Sequence, residues 1–583
     1  MLPADSVLLV TYETRLTPSG GISQVLRELP SPLAKATGRA VAIVTPFHHA
    51  LRPAAAARER WEEIRADVEG RNALMTFEVA ERDPGHSVAV DIFQFAQPDT
   101  VPERCPILLL RVRGDEYFGG GLDPYDMPAE ALTRDALFFG AAVAVFATLV
   151  GLGRHSALML QDWEAATTAL ALTMTPAGER PRAFITLHNS YDSGPVEDHA
   201  LWRLGIDPAT CPGRGSVTTV LRRALPLIER PYISVSQQFA LDLTTDLLQQ
   251  RVMADHLQDL LADTRGIDNG PFGRAAVDSG TVQRAADGAP AELAAWKTER
   301  RDVALAAWRG ISADPSLPLW GDVETFAAFA GSGVDVPWFF FAGRDDPRQK
   351  GYDVAVAAVE DLLAAGAAAP AQFIFAPSPG SEGLAGLEFL RLLCAQHPNR
   401  VIAMPFRMTQ GFLETMQGSS FGVMPSLYEP FGMANELCLN GLVCIGRATG
   451  GILQQVLPFT GVPSCSTAVL SRSGRWAGTL ERPTGLLYRE PDDPERAHAV
   501  DDDWRALNAC GYLMTGEIRT SERGRIPLFR SMVRELRAAL RDATDLYSHD
   551  RPVYYRMLSD SLNHISRTFS WERTARECAG LIG

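Results

Sequence analysis

Short apolar runs alternate with longer amphipathic stretches along this chain, and the alternation occurs in two successive series. The runs of the first series lie at residues 7–11, 40–45, 88–95, 107–112, 157–160, 183–187 and 232–235. Helical patterns separate them, as at residues 21–36 and 163–173. Apolar runs of this length read as buried strands, and strands that alternate with helices predict an α/β fold with a parallel sheet.

A second series of the same kind follows a stretch that reads as a linker. Its strands are predicted at residues 338–342, 372–376, 401–404, 421–424 and 443–446, and its helices at 353–365, 384–396 and 410–417. Between the series, residues up to Gly288 are rich in Ala, Gly and Asp, which is typical of a linker. Because 583 residues exceed what one core holds, we predict two doubly wound Rossmann-like domains, 1–270 and 271–560. Residues 489–527 are acidic and then irregular, and read as an insertion.

The composition excludes some classes of function. A formal net charge of −15 argues against binding of nucleic acid by the whole molecule, so any phosphate recognition is expected to be local. The apolar stretch 136–152 contains glycines and falls short of the ~20 residues that a membrane span needs, so we predict a buried helix. The first apolar run has no cationic leader, and we expect a cytoplasmic protein without a membrane partner.

Charged residues and glycines follow several strands of the second series, at the edge where doubly wound sheets bind ligands. Arg344, Arg348 and Lys350 come after one predicted strand, Glu429 follows another, and a glycine turn follows a third. Cations and helix N-termini can stabilise the negative charge of a departing diphosphate. The pattern therefore indicates glycosyl transfer from a phosphate-activated sugar.

Several short motifs in a fixed order extend this interpretation. They are Ser19-Gly20-Gly21-Ile22, Gln161-Asp162-Trp163, Thr186-Leu187-His188-Asn189, Gln349-Lys350-Gly351, Glu429-Pro430-Phe431-Gly432, Thr449-Gly450-Gly451 and Phe569-Ser570-Trp571. In these motifs the chain resembles the bacterial glycogen synthase and plant starch synthase family of retaining glucosyltransferases. The resemblance implies the GT-B arrangement of two facing Rossmann-like domains with an inter-domain active-site cleft. It also implies a last helix, 561–583, that crosses back to the first domain.

The resemblance assigns roles to residues of both domains. Glu429 is expected to orient the donor glucose, while Arg344 and Lys350, with Arg348 as a third cation, are expected to bind the diphosphate. His188 and Asp162 are expected to approach the reacting sugar from the acceptor side. The other donor-binding candidates are Gly20, Gly21, Phe431, Gly432, Met433, Arg447, Thr449, Gly450 and Gly451. No metal is expected, because cations and main-chain N–H groups serve the leaving group.

Several of these residues also have structural interpretations, which the sequence leaves open. Asp162 is equally suited to capping the following helix, and Arg447 to pairing with an acid in the core. His188 could cap a strand. Glu436 follows Glu429 by seven positions, where related enzymes with two glutamates have eight, so we assign it a structural role.

Two departures from the family pattern bear on the substrates. Pro18 stands where the family has a lysine that contacts the donor phosphate, and Gln161 and Glu164 replace histidines near the acceptor. We expect transfer of glucose from ADP-glucose or UDP-glucose to the non-reducing end of an α-1,4-glucan. The alternatives are a GT-B transferase or phosphorylase-like enzyme with another donor or acceptor, and a catalytically silent glucan-binding homologue.

Two further segments carry weaker signals. His48 and His49 are adjacent, point to opposite faces of an extended chain and lack a third ligand nearby, so we assign them to a surface loop and not to a metal site. Residues 116–125 contain three glycines and three aromatic residues. This segment either stacks a glucan or forms a packed loop.

Overall fold

A computed structural model gives the structure of the chain in two compact units. It describes every residue except 1, 15, 18–19, 49–72, 83–84, 86, 96–104, 115, 120–123, 126, 331–334, 367–369, 381, 478–481, 492–496 and 514–515. The first unit comprises Met1–Gly270 and Ser570–Gly583, and the second comprises Pro271–Phe569.

The first unit is built on one sheet, most of which is parallel. Its described strands are β1 Val7–Val10, β2 Val41–Pro46, β3 Met75–Ala80, β4 Ser87–Phe95, β5 Ile107–Val112, β6 Ala157–Gln161, β7 Arg182–Leu187, β8 Tyr232–Ser234 and β9 Thr264–Gly266. They lie in the order β3-β4-β5-β2-β1-β6-β7-β8-β9. The α/β class with a parallel sheet is therefore confirmed for this unit, with the exception that β4 runs antiparallel to both of its neighbours.

The helices of this unit follow the predicted alternation. They span Gly21–Glu28, Pro30–Thr37, Ala129–Leu149, Asp162–Ala171, Asp198–Arg203, Val220–Ala224, Gln237–Thr245, Gln258–Leu261 and Trp571–Ile582. The single helix predicted at 21–36 is two helices. Pro30 is the reason, because a proline is accommodated in the first turn of a helix and not in its interior.

The apolar stretch predicted as a buried helix lies within the long helix Ala129–Leu149. By length and composition alone this helix could cross a membrane, yet most of its apolar window is buried inside the unit. It packs against the helix Asp162–Ala171, and the close approach requires a glycine: a Cβ at Gly140 would collide with the backbone of Thr167. The prediction of a buried helix is confirmed.

The second unit contains a fully parallel sheet. Its described strands are β10 Trp338–Arg344, β11 Gln372–Ser378, β12 Val401–Ala403, β13 Phe421–Met424, β14 Val443–Arg447 and β15 Gly485–Tyr488. They lie in the order β12-β11-β10-β13-β14-β15, so the strand order reverses between β10 and β13. In doubly wound sheets a ligand binds beyond the carboxyl ends of the strands at this reversal.

Helices alternate with these strands along the sequence, as expected for a doubly wound fold. They span Ser279–Ala286, Ala291–Ala313, Val323–Ala330, Tyr352–Ala364, Glu388–Gln396, Phe412–Gly418, Ala434–Leu439, Ile452–Gln455, Thr467–Ala477, Ala497–Leu513, Gly516–Gly524, Pro527–His549 and Arg551–Thr568. The core is aromatic at β10: Phe339 stacks between Phe373 and Phe421 of the neighbouring strands, with ring centroids 5.3 and 5.0 Å away. These stacks hold the central strand that leads into the candidate site.

Three sequence-based expectations differ from the structure of these regions. The linker expected up to Gly288 contains the helix Ser279–Ala286, which is capped by Asp278 and buries Val282 and Ala285. The irregular structure expected at 489–527 is instead largely helical among its described residues. The terminal helix expected at 561–583 is interrupted: one helix ends at Thr568, and Trp571–Ile582 belongs to the first unit.

Gly351 offers a test of the packing beside β13. Its φ is +64°, and a Cβ there would collide with the carbonyl oxygen of Pro425. Gly366 has nearly the same φ, +63°, with nothing within 4 Å of a Cβ. We expect Gly351→Ala to destabilise the second unit by about 3 kcal/mol, from ~1–2 kcal/mol of backbone strain and ~1–3 kcal/mol of overpacking. Gly366→Ala should cost only the strain. Urea unfolding measures both, and equal losses would show that the contact with Pro425 is unimportant.

Candidate active site

The candidate donor site lies at the strand reversal of the second unit. Arg344 is the last residue of β10 and is exposed. Lys350 lies at the end of the turn that follows this strand. Ser426 and Glu429 lie in the loop that follows the adjacent strand β13. The structure therefore brings together residues that the sequence separates by about 80 positions, at the edge where such sheets bind ligands.

An ion pair between Lys350 and Glu429 is the centre of this site. The Nζ atom of Lys350 lies 2.8 and 3.1 Å from the two carboxylate oxygens of Glu429. Ser426 Oγ donates a third hydrogen bond to Glu429 Oε2, at 2.8 Å. The Glu429 side chain is 4% exposed and that of Lys350 is 24% exposed. A buried carboxylate is thus balanced by an ammonium group that keeps contact with solvent.

The backbone of residues 346–350, which we call the donor turn, places Lys350 beside Glu429. The carbonyl of Asp346 accepts hydrogen bonds from the N–H groups of Gln349 and Lys350, at 3.0 and 2.8 Å. The carbonyl of Gln349 in turn accepts from the N–H of Leu427, at 2.7 Å, which joins the turn to the loop after β13. Arg348 lies 3.4 Å from the carboxylate of Asp346, so its charge is compensated within the turn.

The glycine turn 449–451 supports Glu429 from behind. Gly450 has φ +48°, and a Cβ at this position would overlap the carbonyl oxygen of Glu429. The N–H of Gly451 donates to the same carbonyl at 2.9 Å. That N–H group, which the sequence suggested for anion binding, therefore already has a partner. Thr449 differs, because its hydroxyl is buried and has no hydrogen-bond partner among the described residues.

Gly432 and Phe431 shape the loop that carries Glu429. Gly432 has φ +83°, and a Cβ there would collide with the Glu429 side chain. The ring of Phe431 is buried and makes edge contacts with Phe272 and Phe569, which is a core position. Met433 is half-buried directly before the helix Ala434–Leu439.

Arg447 adopts the structural alternative that the sequence left open. Its side chain is buried and forms a bidentate ion pair with Glu490, which follows β15, while Nη1 donates to the carbonyl of Leu427. Burial alone would raise the pKa of Glu490, but the charges of Arg447 and Arg489 lower it to about 2. Arg447 therefore holds the loop that precedes Glu429.

Glu436, on the helix Ala434–Leu439, is within the electrostatic influence of Lys350. Burial raises the pKa of Glu436 to about 7, and the ammonium of Lys350 opposes the shift. Its carboxyl group is therefore partly protonated near neutral pH.

A second polar cluster lies in the first unit, at the carboxyl end of β6. Asp162 has a φ of +61°, which is strained for a residue with a Cβ. Its carboxylate accepts hydrogen bonds from the N–H of His188, at 2.6 Å, and from the side-chain amide of Asn189, at 2.9 Å. Gln161 Oε1 lies 2.7 Å from Nε2 of His188. Asp162 thus organises the loop after β7 and does not serve as a simple helix cap.

The protonation of this cluster follows from its burial. Burial raises the pKa of Asp162 to about 8, although the two N–H groups that donate to its carboxylate act to lower it. Burial also lowers the pKa of His188 to about 3. Burial and the neighbouring charge of Asp162 also raise the pKa of Glu164. His188 is therefore a neutral imidazole throughout the physiological range.

The glycine turn of the first unit is held by an internal carboxylate. Glu13 accepts hydrogen bonds from the N–H groups of Gly20, at 2.7 Å, and Ser23, at 3.0 Å, at the start of the helix Gly21–Glu28. An anion that used these N–H groups would have to displace Glu13. Pro18 and Ser19 lie outside the described residues.

The segment 116–125 is a packed loop where the structure describes it. Tyr117 is buried and stacks on Phe138 at 3.9 Å, and Phe118 is fully buried.

The surface-loop assignment of His48 is wrong, because its ring is buried and packs edge-on against Tyr12 at 4.9 Å. His49 lies outside the described residues.

Comparison with known proteins agrees with this architecture. Residues 6–246 match the family model for the starch synthase catalytic domain. The catalytic domain of starch synthase IV from Arabidopsis thaliana, solved with ADP and acarbose, is 17% identical over 95% of this chain and 99% of that chain, with a TM-score of 0.58. Sucrose-phosphate synthase from Thermosynechococcus elongatus is 16% identical over 99% and 98% of the two chains, with a TM-score of 0.49. No curated protein sequence matches the chain.

Residues 6–246 of the first unit are thus similar to a starch synthase catalytic domain, a match that covers less than half of the chain. The fold of the chain is GT-B, as the starch synthase IV structure shows. The family resemblance and the fold class predicted from the sequence are thereby confirmed. The family match lies in the unit with the Asp162 and His188 cluster, whereas the unit with Lys350 and Glu429 is compared with starch synthase IV by fold alone.

Some important residues of this protein were not found from the sequence. Glu490 was missed because the short strand β15 before it was not predicted. Ser426 and Glu13 lie a few residues before the glycine-containing motifs at Glu429 and Ser19, and a search for donors and acceptors flanking each glycine turn would have found them. Arg519 and Arg523, which contact residues near the donor turn, lie in the segment read as an insertion and have no local signal.

The ion pair between Arg447 and Glu490 predicts acid-sensitive stability. Because the pKa of Glu490 is lower in the folded protein, about 2, than the ordinary value of 4.5, the stabilisation is complete above 4.5 and is lost as the pH falls towards 2. At pH 7 we expect Glu490→Gln to cost about 3–5 kcal/mol, since it removes the carboxylate that balances the buried charge of Arg447. The difference from the unmodified protein should shrink at pH 3.

Urea unfolding at pH 7, 5 and 3 measures this difference. Glu324→Gln is the control, because it removes an exposed pair with Arg309 and should leave the midpoint unchanged. A difference for Glu490→Gln that stays constant with pH would contradict the assignment.

Proposed function

We propose that this protein is a retaining glucosyltransferase that moves glucose from a nucleoside diphosphate glucose, ADP-glucose or UDP-glucose, to the non-reducing end of an α-1,4-glucan. The single observation that carries the proposal is the Lys350–Glu429 pair at the strand reversal of the second unit. A solvent-accessible ammonium beside a buried carboxylate suits a sugar joined to a diphosphate, because one group can bind phosphate while the other faces sugar hydroxyls.

The donor residues act through charge and hydrogen bonding. Lys350 donates to the diphosphate and stabilises the negative charge that grows on the leaving oxygen, with Arg344 as a second, exposed cation. The hydroxyl of Thr449, which has no hydrogen-bond partner in the described part of the chain, supplies a further donor near the same loop. When Lys350 turns to the diphosphate, Glu429 is left facing the glucose, where its charge stabilises the positive character of the ring. The proposal includes no metal.

The acceptor side is assigned to the cluster of the first unit. Asp162 fixes the N–H of His188, and Gln161 pairs with Nε2 of its ring. The carbonyl of His188 and the remaining edge of its neutral imidazole are proposed to contact a sugar. A neutral ring suits this role, since a cation there would repel an oxocarbenium-like transition state. The related starch synthase IV structure contains ADP and acarbose, and we propose ligands of these two classes for this chain.

A second candidate is a GT-B transferase or phosphorylase-like enzyme with another donor or acceptor. Two observations favour it: Glu13 binds the N–H groups of the amino-terminal glycine turn, and the buried Glu164 stands where the family has a histidine. Both changes place a carboxyl group where the resemblance implies contact with phosphate or glucan.

Nucleotide release distinguishes these candidates. Purified protein is incubated with ADP-glucose or UDP-glucose and maltooligosaccharides, and we expect release of the nucleoside diphosphate together with lengthened oligosaccharide. Release without lengthening favours the second candidate. Binding of oligosaccharide without turnover of any common donor indicates a silent homologue and contradicts an enzymatic role.

Glu429→Gln tests the proposed catalytic carboxylate. The substitution keeps the shape and removes the charge, so we expect kcat to fall by about 10²-fold or more while the fold survives. Glu388→Gln serves as the matched control, because it removes a carboxylate paired with Arg391 on a surface helix of the same unit. Equal activity of the two variants would remove Glu429 from the mechanism.

A further inference from the structure

The segment read as an insertion contributes two buried arginines to the second unit. Arg519 and Arg523 lie one helical turn apart on the helix Gly516–Gly524 and are 1% and 0% exposed. A buried guanidinium is costly unless its charge is paired and its N–H groups are bonded, so the contacts of these side chains reveal what they hold.

Arg523 binds one residue that precedes Lys350 in the sequence and one that follows it. Its Nη2 donates to the carbonyl of Pro347, inside the donor turn, at 2.6 Å. Its Nη1 donates to the carboxylate of Asp353 at 2.7 Å, in the first turn of the helix that begins at Tyr352. One guanidinium therefore spans the short stretch of chain that carries Lys350.

The guanidinium of Arg523 also binds a neighbouring helix. Nη2 of Arg523 also donates to the carbonyl of Leu507, at 2.7 Å, on the helix Ala497–Leu513. Asp353 is 2% exposed, so the Arg523–Asp353 pair is buried and weakly screened by salt. A planar fork can donate to three such acceptors at once, which the single ammonium of a lysine does less well.

We propose that Arg523 is a positioning residue that sets Lys350 for the donor diphosphate. The inference rests on the proposed function, because the position of Lys350 matters only if it binds phosphate. Arg523 does not touch the donor; it fixes residues 347 and 353, and the backbone between them then holds the ammonium of Lys350 against Glu429.

Arg519 provides a matched control on the same helix. It is as deeply buried, and it binds the carbonyl of Gly386 at 2.9 Å and the carboxylate of Glu382 at 3.3 Å. Among the described residues next to the donor turn it reaches Asp345, at 3.9 Å, which precedes the turn. Replacing it disturbs the helix without removing a bond to residues 347 or 353.

A double-mutant cycle on nucleotide binding tests the proposal. The dissociation constants of ADP and UDP are measured by calorimetry for the unmodified protein, Arg523→Lys, Lys350→Met and the double variant. Arg523→Lys should weaken binding of the preferred nucleotide roughly tenfold, a change within the range of measured couplings. In the Lys350→Met background the same change should have no further effect, because Arg523 acts through Lys350.

The control cycle replaces Arg523→Lys with Arg519→Lys. Arg519→Lys should leave the dissociation constant within about twofold in both backgrounds. If Arg523→Lys does not fold, Asp353→Asn removes the charge partner of Arg523 and should show the same coupling to Lys350. Effects of Arg523→Lys that simply add to those of Lys350→Met, or that equal those of Arg519→Lys, overturn the proposal.

The outcome separates this inference from the proposed function. If the unmodified protein binds nucleoside diphosphates and the cycle shows no coupling, the role of Arg523 fails while the donor site stands. If the unmodified protein binds neither ADP nor UDP, the proposed function and this inference both fail.

Discussion

The ammonium of Lys350 and the carboxylate of Glu429 form the interaction on which the rest of the second unit depends. A carboxylate that is 4% exposed is stable only with a nearby positive charge, and Lys350 supplies it at 2.8 Å. Lys350 comes after β10 and Glu429 after β13, which are adjacent because the sheet reverses its strand order there. The topology thus brings the two side chains together, and the ion pair places a cation beside a carboxylate, the arrangement on which our proposal of a sugar-diphosphate site rests.

Several surrounding contacts fix the positions of Lys350 and Glu429. Glu429 is held by Ser426 and by glycines at 432 and 450 that allow backbone to approach it closely. Lys350 is held by the donor turn and, behind it, by Arg523. Arg447, which the sequence offered as a donor ligand, instead ties Leu427 to Glu490. A site that must stabilise charge during a reaction benefits from such support, since preorganised groups do not need to rearrange.

The sequence predicted the architecture well where the apolar runs were long and clearly bounded. The strands Ile107–Val112 and Phe421–Met424 were placed to the residue. The edge strands β3, β9 and β15 were missed. β3 and β9 mix polar and apolar residues and so resemble loops, while β15 is apolar but only four residues long. Pairs distant in sequence, such as Arg447 with Glu490, carry no local pattern. The family match and the GT-B fold confirm the resemblance, whereas the roles of individual site residues remain predictions from it.

A crystal structure of the protein with ADP or UDP bound tests the central claim most directly, through the distances from Lys350 Nζ to the diphosphate and to Glu429. The account predicts a diphosphate oxygen within about 3 Å of Lys350 Nζ, the length of a charge-assisted hydrogen bond, beyond the carboxyl ends of β10 and β13. A diphosphate bound elsewhere, with Lys350 still paired only with Glu429, would contradict it.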